Sequence, residues 1–284
     1  MKPVIARTRE ELAAARARIE GTLAFVPTMG ALHEGHLSLM REARRNADKV
    51  AVSIFVNPLQ FGPGEDFDRY PRTFEADVEA CAAEGVDLVF APTRDVMYPD
   101  EPQVTIKSGP MGEVVEGAAR PGHFDGMLTV VLKLLNLVRP DAAVFGEKDA
   151  QQLAMIRRMV ADLNVPVRIV GAPTVREPDG LALSSRNRYL SEPERRTALA
   201  LSRALRAGAD AADDGPDAVL RAAGAVLDGA AAADPPLALD YLVLVDPATF
   251  TPAAGGGPAV LAVAGRVGAT HLIDNVHLQL GKEH

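Results

Sequence analysis

Across the first 170 residues, short continuous apolar runs alternate with longer stretches of helical composition, and this alternation constrains the fold more than any other feature of the chain. The runs lie at residues 23–27, 50–56, 87–91, 142–145 and 167–170. Helical stretches occupy residues 36–47, 74–84, 126–138 and 149–162, and Phe74, Val78 and Cys81 share one face of the second. An amphipathic N-terminal helix is expected from the spacing of Leu12, Ala15 and Ile19. Strands that are apolar on both faces belong to parallel sheets covered by helices on both sides. Right-handed crossovers then give a doubly wound, Rossmann-like α/β domain. Ligands in such sheets lie at the carboxyl ends of the strands. Segments 27–36, 57–62, 145–152 and 175–188 each follow a predicted strand and so belong together.

Beyond residue 176 the pattern changes. Residues 192–234 are rich in Ala, Arg and Asp and read as two helices separated at residues 213–216. Strands are expected at 239–245, 260–263 and 271–273, with a turn-rich loop at 251–258. The expected organisation is an α/β domain over residues 1–176 and a smaller α+β domain over residues 177–284. A chain of 284 residues with formal charge −8 suits this division and argues against nucleic acid as the main partner. Cys81 is the only cysteine, which excludes an intrachain disulfide and a cysteine zinc cluster and fits a reducing cytoplasm. No secretory signal and no membrane span are expected, because no apolar window reaches the roughly 18 residues needed.

Chemistry-bearing residues cluster in the strand-end segments. His33-Glu34-Gly35-His36 opens a helix, where unpaired backbone N–H groups and the helix dipole suit phosphate. Gly30 and Gly35 allow close approach of backbone and ligand. From this segment alone, phosphate chemistry, metal binding and two surface histidines all remain open. Lys148 stands at the start of another helix, as a phosphate partner or an ordinary solvated lysine. The loop carrying Ser184, Ser185 and Arg186 offers hydroxyls and a guanidinium to phosphate oxygens, or simply leads to a helix capped by Ser191. Arg120 and His123 in a Gly/Pro-rich turn suit a carboxylate or phosphate, or hold the loop's shape. Gln60 and Gln152 can hydrogen-bond a hydroxy acid. Asp77 reads as an exposed helix acid or as a carboxylate near Mg2+.

The strings PTMGALHEGH, VSIFVNPLQF, RPGHF, FGEKDAQQL and DGLALSSRNRYLS occur in this order. Together they resemble the pantothenate synthetase (pantoate–β-alanine ligase) family, within the HIGH-motif nucleotidyltransferase superfamily. The resemblance covers about residues 23–191 and resumes weakly at residues 272–275. It implies ATP-dependent condensation of pantoate with β-alanine through a pantoyl-adenylate, in a cytoplasmic homodimer using Mg2+. Carried onto matching positions, it implies that His33, His36, Lys148, Ser184, Ser185 and Arg186 stabilise the ATP phosphates. Pro27, Thr28, Met29, Gly30, Gly146, Glu147, Asp149, Val175 and Leu183 would line the nucleotide site. Gln60 and Gln152 would hold pantoate, with Met29, Asn57, Arg120, His123 and Tyr70 near the substrate and Asp77 near Mg2+. The second domain would act as a lid. Leu183 departs from the family pattern, where Met is common, with little change in volume. No covalent enzyme intermediate is required, so Cys81 is expected to be dispensable. Two readings compete: a related enzyme that transfers a nucleotide to a phosphate ester, and a non-enzymatic nucleotide sensor.

Overall fold

The computed structural model describes residues 2–253 and 255–281. In chain order the elements of the first 172 residues are β1 (Val4–Ala6), α1 (Arg9–Arg16), β2 (Leu23–Thr28), α2 (Glu34–Asn46), β3 (Lys49–Ile54), α3 (Phe74–Ala83), β4 (Leu88–Phe90), α4 (Arg94–Met97), α5 (Glu116–Ala119), α6 (His123–Val138), β5 (Ala142–Gly146), α7 (Ala150–Asp162) and β6 (Arg168–Ala172). They are followed by α8 (Glu192–Asp210), α9 (Pro216–Ala231), β7 (Leu237–Val245), β8 (Gly257–Val267) and β9 (Thr270–Leu280). The chain forms two compact units. The first comprises residues 1–112, 120–147 and 155–173; the second comprises residues 113–119, 148–154 and 174–284. This division is less simple than one cut after residue 176, because two short segments group with the C-terminal unit.

The first unit is built on a six-stranded sheet of order β1-β4-β3-β2-β5-β6, with every neighbouring pair parallel. Its strands are apolar because helices cover both faces; Phe25, Val26, Val52, Val89 and Val144 are fully buried or nearly so. The chain lays β3 and β4 to one side of β2, then returns to place β5 and β6 on the other. The strand order therefore reverses between β2 and β5, and a crevice opens at such a switch point.

Pro27 helps to open it. The Leu23 carbonyl accepts from Asp141, beside β5, and the Thr28 carbonyl accepts from Phe55, beyond β3. Odd positions of β2 therefore face β5 and even positions face β3. Pro27 lacks an N–H and falls on the β5 side. Pairing of β2 with β5 is confined, among the described residues, to Ala24–Ala142 and Phe25–Ala143. The two strands thus part before the loops that carry the site. Cys81 is fully buried, and burial pushes its thiol up to about 12, consistent with an unreactive core residue.

The second unit contains the antiparallel sheet β7-β8-β9 and the helix pair α8 and α9. Its core includes Leu201, Leu205, Val219, Leu227, Leu261 and Val263. Ser191 caps α8 in a capping box with Glu194, as the sequence suggests. The strands run longer than expected from apolar runs alone, since β9 continues through Asp274, Asn275, His277 and Gln279. The turn-rich segment expected at 251–258 includes Ala254, which lies outside the described residues; β8 already begins at Gly257. Among the described residues, no helix is long and apolar enough to cross a membrane.

Candidate active site

The segment leaving β2 is held at nearly every residue. Thr28 donates its hydroxyl to the Ser53 carbonyl at 2.6 Å and accepts from the Gly30 amide at 3.2 Å. Gly30 has φ 82°, and a Cβ there would lie 2.9 Å from Asp77 Oδ2 and 3.0 Å from Ile54 Cγ2. Conformation and space both demand glycine. Asp77 then accepts from the Ala31 amide at 3.0 Å, the Leu32 amide at 2.8 Å and the Thr73 hydroxyl at 3.1 Å.

Asp77 is therefore not an exposed helix acid: it is 3% exposed and staples the loop before α2. With three donors on its two oxygens, it is poorly suited to bind a metal directly. Asp77→Ala would leave two loop amides without their acceptor. It is expected to lower the unfolding free energy by about 2–4 kcal/mol, measured by urea denaturation. An unchanged midpoint would remove Asp77 from the role of staple.

His33 is the N-cap of α2, and its Nδ1 accepts from the Gly35 amide at 3.2 Å. His36 Nδ1 accepts in return from the His33 amide at 3.3 Å, and the ring centroids lie 4.1 Å apart. Two histidines thus build a capping box normally made by hydroxyl and carboxylate side chains. Because each Nδ1 accepts an amide proton, each neutral ring carries its own proton on Nε2. The first turn of α2 therefore combines a helix dipole with two Nε2–H donors, an arrangement suited to an anion. Among the described residues, no three His, Cys, Asp or Glu side chains gather as a metal site.

A second cluster in the same unit centres on Gln60, in the one-turn 3-10 helix Pro58–Gln60. Gln60 Nε2 donates to Met29 Sδ at 3.2 Å, and its Oε1 accepts from Asn57 Nδ2 at 3.2 Å. Asn57 is fully buried and also donates to the Gly126 carbonyl. Its Oδ1 accepts from the Leu59 amide and from the Tyr98 hydroxyl at 2.9 Å. Asn57 is thus spent within the protein, and it orients Gln60 instead of meeting substrate.

Arg120 and His123 also act from behind. Arg120 forms a two-point pair with Glu65, at 2.8 and 2.6 Å, and donates to His123 Nε2 at 3.1 Å. That leaves the His123 proton on Nδ1, which donates to the Gln60 carbonyl at 2.7 Å. Burial raises the Glu65 carboxyl, but the Arg120 pair outweighs it and holds the group below its usual range. The Arg120–Glu65 pair fits the second of the two sequence readings of this turn, in which its cations hold the loop's shape. Tyr70 is buried and packs edge-on against Phe61. Gly146 ends β5 beside Ala172 of β6, and the chain continues through Glu147 into the turn 147–149.

The second unit holds the remaining candidates. Lys148 Nζ lies 3.6 Å from Asp149 Oδ2, and the Lys148 carbonyl accepts from Asn275 Nδ2 at 2.7 Å. Gln152 is half-buried at the start of α7, whereas its neighbour Gln151 is buried and bonds the Glu116 amide and the Val114 carbonyl. Val175 accepts from the Leu183 amide across a tight hairpin closed by an Arg176–Ala182 bridge. Ser184 follows and caps the 3-10 turn Ser185–Tyr189, its Oγ accepting from the Arg186 amide at 3.2 Å. Ser185 is buried and Arg186 half-buried. Sequence reasoning missed Glu65, Arg176 and Asp274, whose partners are remote in the chain, and Asn187, whose partners lie within the same loop. Asn187 ties Glu177 to the Ala182 carbonyl.

A doubly wound parallel sheet whose switch-point strand runs into a histidine-capped helix defines a nucleotide-binding α/β protein of the HIGH-motif type. A family model described as pantoate-beta-alanine ligase matches residues 4–277. The chain is 65% identical to a pantothenate synthetase of Thermobifida fusca, over 98% of this chain and 96% of the relative. The crystal structure of a pantothenate synthetase from Thermus thermophilus is 48% identical, with a TM-score of 0.88 over 96% of this chain and 98% of that one. The pantoate-beta-alanine ligase of Francisella tularensis, complexed with beta-gamma ATP and beta-alanine, is 33% identical, with a TM-score of 0.80 over 96% of this chain and 97% of that one. The chain belongs to the pantoate–β-alanine ligase family.

Proposed function

We propose that this protein condenses pantoate with β-alanine, cleaving ATP to AMP and pyrophosphate through a pantoyl-adenylate. The observation that carries the proposal is the histidine capping box on α2, which turns both Nε2–H groups into donors at the end of the switch-point strand. A pantoate carboxylate oxygen attacks the α-phosphorus, and the bond to the pyrophosphate oxygen breaks. The β-alanine amine then attacks the acyl carbon, loses a proton, and releases AMP. Charge grows on phosphate oxygens in the first step, and His33, His36, Lys148, Ser184, Ser185 and Arg186 are the groups assigned to meet it. Pro27, Thr28, Met29, Gly30, Gly146, Glu147, Asp149, Val175 and Leu183 are assigned to the nucleotide. Gln60 and Gln152 are assigned to pantoate, with Gln60 fixed beside Met29 by Asn57 and His123.

Mg2+ would arrive with the ATP phosphates, since it prefers oxygen ligands and keeps several waters. Asp77 does not fit as its direct ligand, because both its oxygens accept bonds from the α2 loop. Homodimer formation and a cytoplasmic location are inferred from the family resemblance.

Pantoate-dependent exchange between ATP and pyrophosphate, without β-alanine, tests the proposal. Exchange is expected, and pantoate labelled with 18O in its carboxylate should pass label to AMP. An active preparation that forms pantothenate but gives neither result would sink the adenylate route.

A further inference from the structure

Strand β9 breaks its own pattern at one dipeptide. Leu272, Leu278 and Leu280 are core residues on its inward face, and Asp274 occupies the same alternation. Asp274 is 3% exposed and Asn275 is 5% exposed, so both faces of the strand are buried there by polar side chains. An apolar residue at position 274 would spare the protein the desolvation of a carboxylate. Polar residues that violate a local rule in a buried place point to a function for the violation.

The partners show what that function is. Asp274 grips Arg176 by two parallel bonds, at 2.6 and 3.0 Å. Arg176 also donates to the Gly180 carbonyl at 3.1 Å and to the Asn275 carbonyl at 3.4 Å. The first arm and the turn of the 175–183 hairpin are thereby fixed, and Ser184, Ser185 and Arg186 follow directly from it. Asn275 turns to the other segment, donating from Nδ2 to the Lys148 carbonyl at 2.7 Å. Its own amide donates to Asp274 Oδ1 at 2.8 Å, which couples the two side chains.

We propose that Asp274 and Asn275 are positioning residues for adenylate formation. One dipeptide of β9 holds the Lys148 turn and the Ser184 hairpin in a single register, so that both phosphate-directed groups are set together. The inference rests on the ligase reading given above. Two segments that are remote in sequence would otherwise vary independently, and a misplacement of about 1 Å in a catalytic group can lower a rate about a hundredfold.

The test is Asn275→Ala, assayed by ATP–pyrophosphate exchange in the wild-type and Lys148→Ala backgrounds. Expected is a roughly 10- to 100-fold fall in kcat in the wild-type background, with the KM for pantoate within about threefold. In the Lys148→Ala background the same change should lower exchange less than about threefold, because the group it positions is gone. Equal losses in the two backgrounds would mark Asn275 as a general structural residue and overturn the proposal, as would full activity of Asn275→Ala. Arg176→Lys keeps the charge but loses the two-point grip, and serves if Asn275→Ala does not fold. It should lower kcat at least about fivefold with an unfolding temperature near wild type, and unchanged kcat would equally overturn the proposal. Absence of exchange in the wild-type protein would sink the ligase reading, a result distinct from failure of the variants alone.

Discussion

Alanine in place of Lys148 or His36 is expected to lower pantoate-dependent ATP–pyrophosphate exchange about a hundred- to a thousandfold, the usual consequence of losing one preorganised donor to a charged transition state. The two residues differ in what else they do. The Lys148 ammonium pairs with Asp149 at a loose 3.6 Å, so Lys148→Ala should leave the unfolding temperature nearly unchanged. His36 also accepts the His33 amide through Nδ1, so His36→Ala loses a cap bond worth about 1 kcal/mol. Two further substitutions separate cap from catalysis. His36→Asn keeps an acceptor near the Nδ1 position and loses the Nε2 donor; His36→Gln retains a donor near Nε2. The asparagine variant should be the more stable and the less active of the pair. Exchange by His36→Asn at more than a tenth of the wild-type rate would remove the Nε2–H donor from the mechanism.

The sheet is legible in the sequence because burial on both faces leaves unbroken apolar runs, as in β2, β3 and β5. Strand β1 is concealed, since its three residues include the exposed Val4 and Ile5 and so look like surface. The spacing of Leu12, Ala15 and Ile19 overextends the first helix: α1 stops at Arg16, and Ile19 lies beyond it. The histidine segment does start a helix, but the helix begins two residues earlier than expected, at Glu34. Histidine is not an ordinary N-cap, and Glu-Gly is an ordinary pair until both imidazoles are seen to accept amides. The partners of Asp77 and Arg120 are hidden from the sequence for a common reason. Each is a surface-type residue satisfied by a partner far along the chain, the 31–32 amides and Glu65 respectively. Local pattern carries no information about such partners. Motifs point to the groups assigned to the ligand; the residues that hold those groups in place become visible only in three dimensions.

The supporting contacts make Gly126→Ala a severe change although Gly126 is assigned no contact with substrate. In the interior of an exposed helix, alanine for glycine stabilises by about 1 kcal/mol. Gly126 lies within α6, where a Cβ would stand 1.9 Å from the Leu59 carbonyl oxygen and 2.7 Å from the Gln60 amide nitrogen. Both obstacles are backbone, so no rotamer change relieves them, and the 3-10 turn must retreat by roughly 1 Å or more to restore contact distance. That movement would pull Gln60 from Met29 and from Asn57, whose Nδ2 bonds the Gly126 carbonyl itself. Expected are a fall of about a hundredfold in kcat/KM for pantoate and a stability loss of about 1–3 kcal/mol from overpacking. Steady-state kinetics and urea unfolding read the two effects separately. Gly224→Ala in α9 is the matched control, since its Cβ would meet nothing within 4 Å, and it should be neutral or slightly stabilising. If Gly126→Ala retained kcat/KM within about threefold of wild type, the close packing of α6 would not be what places Gln60.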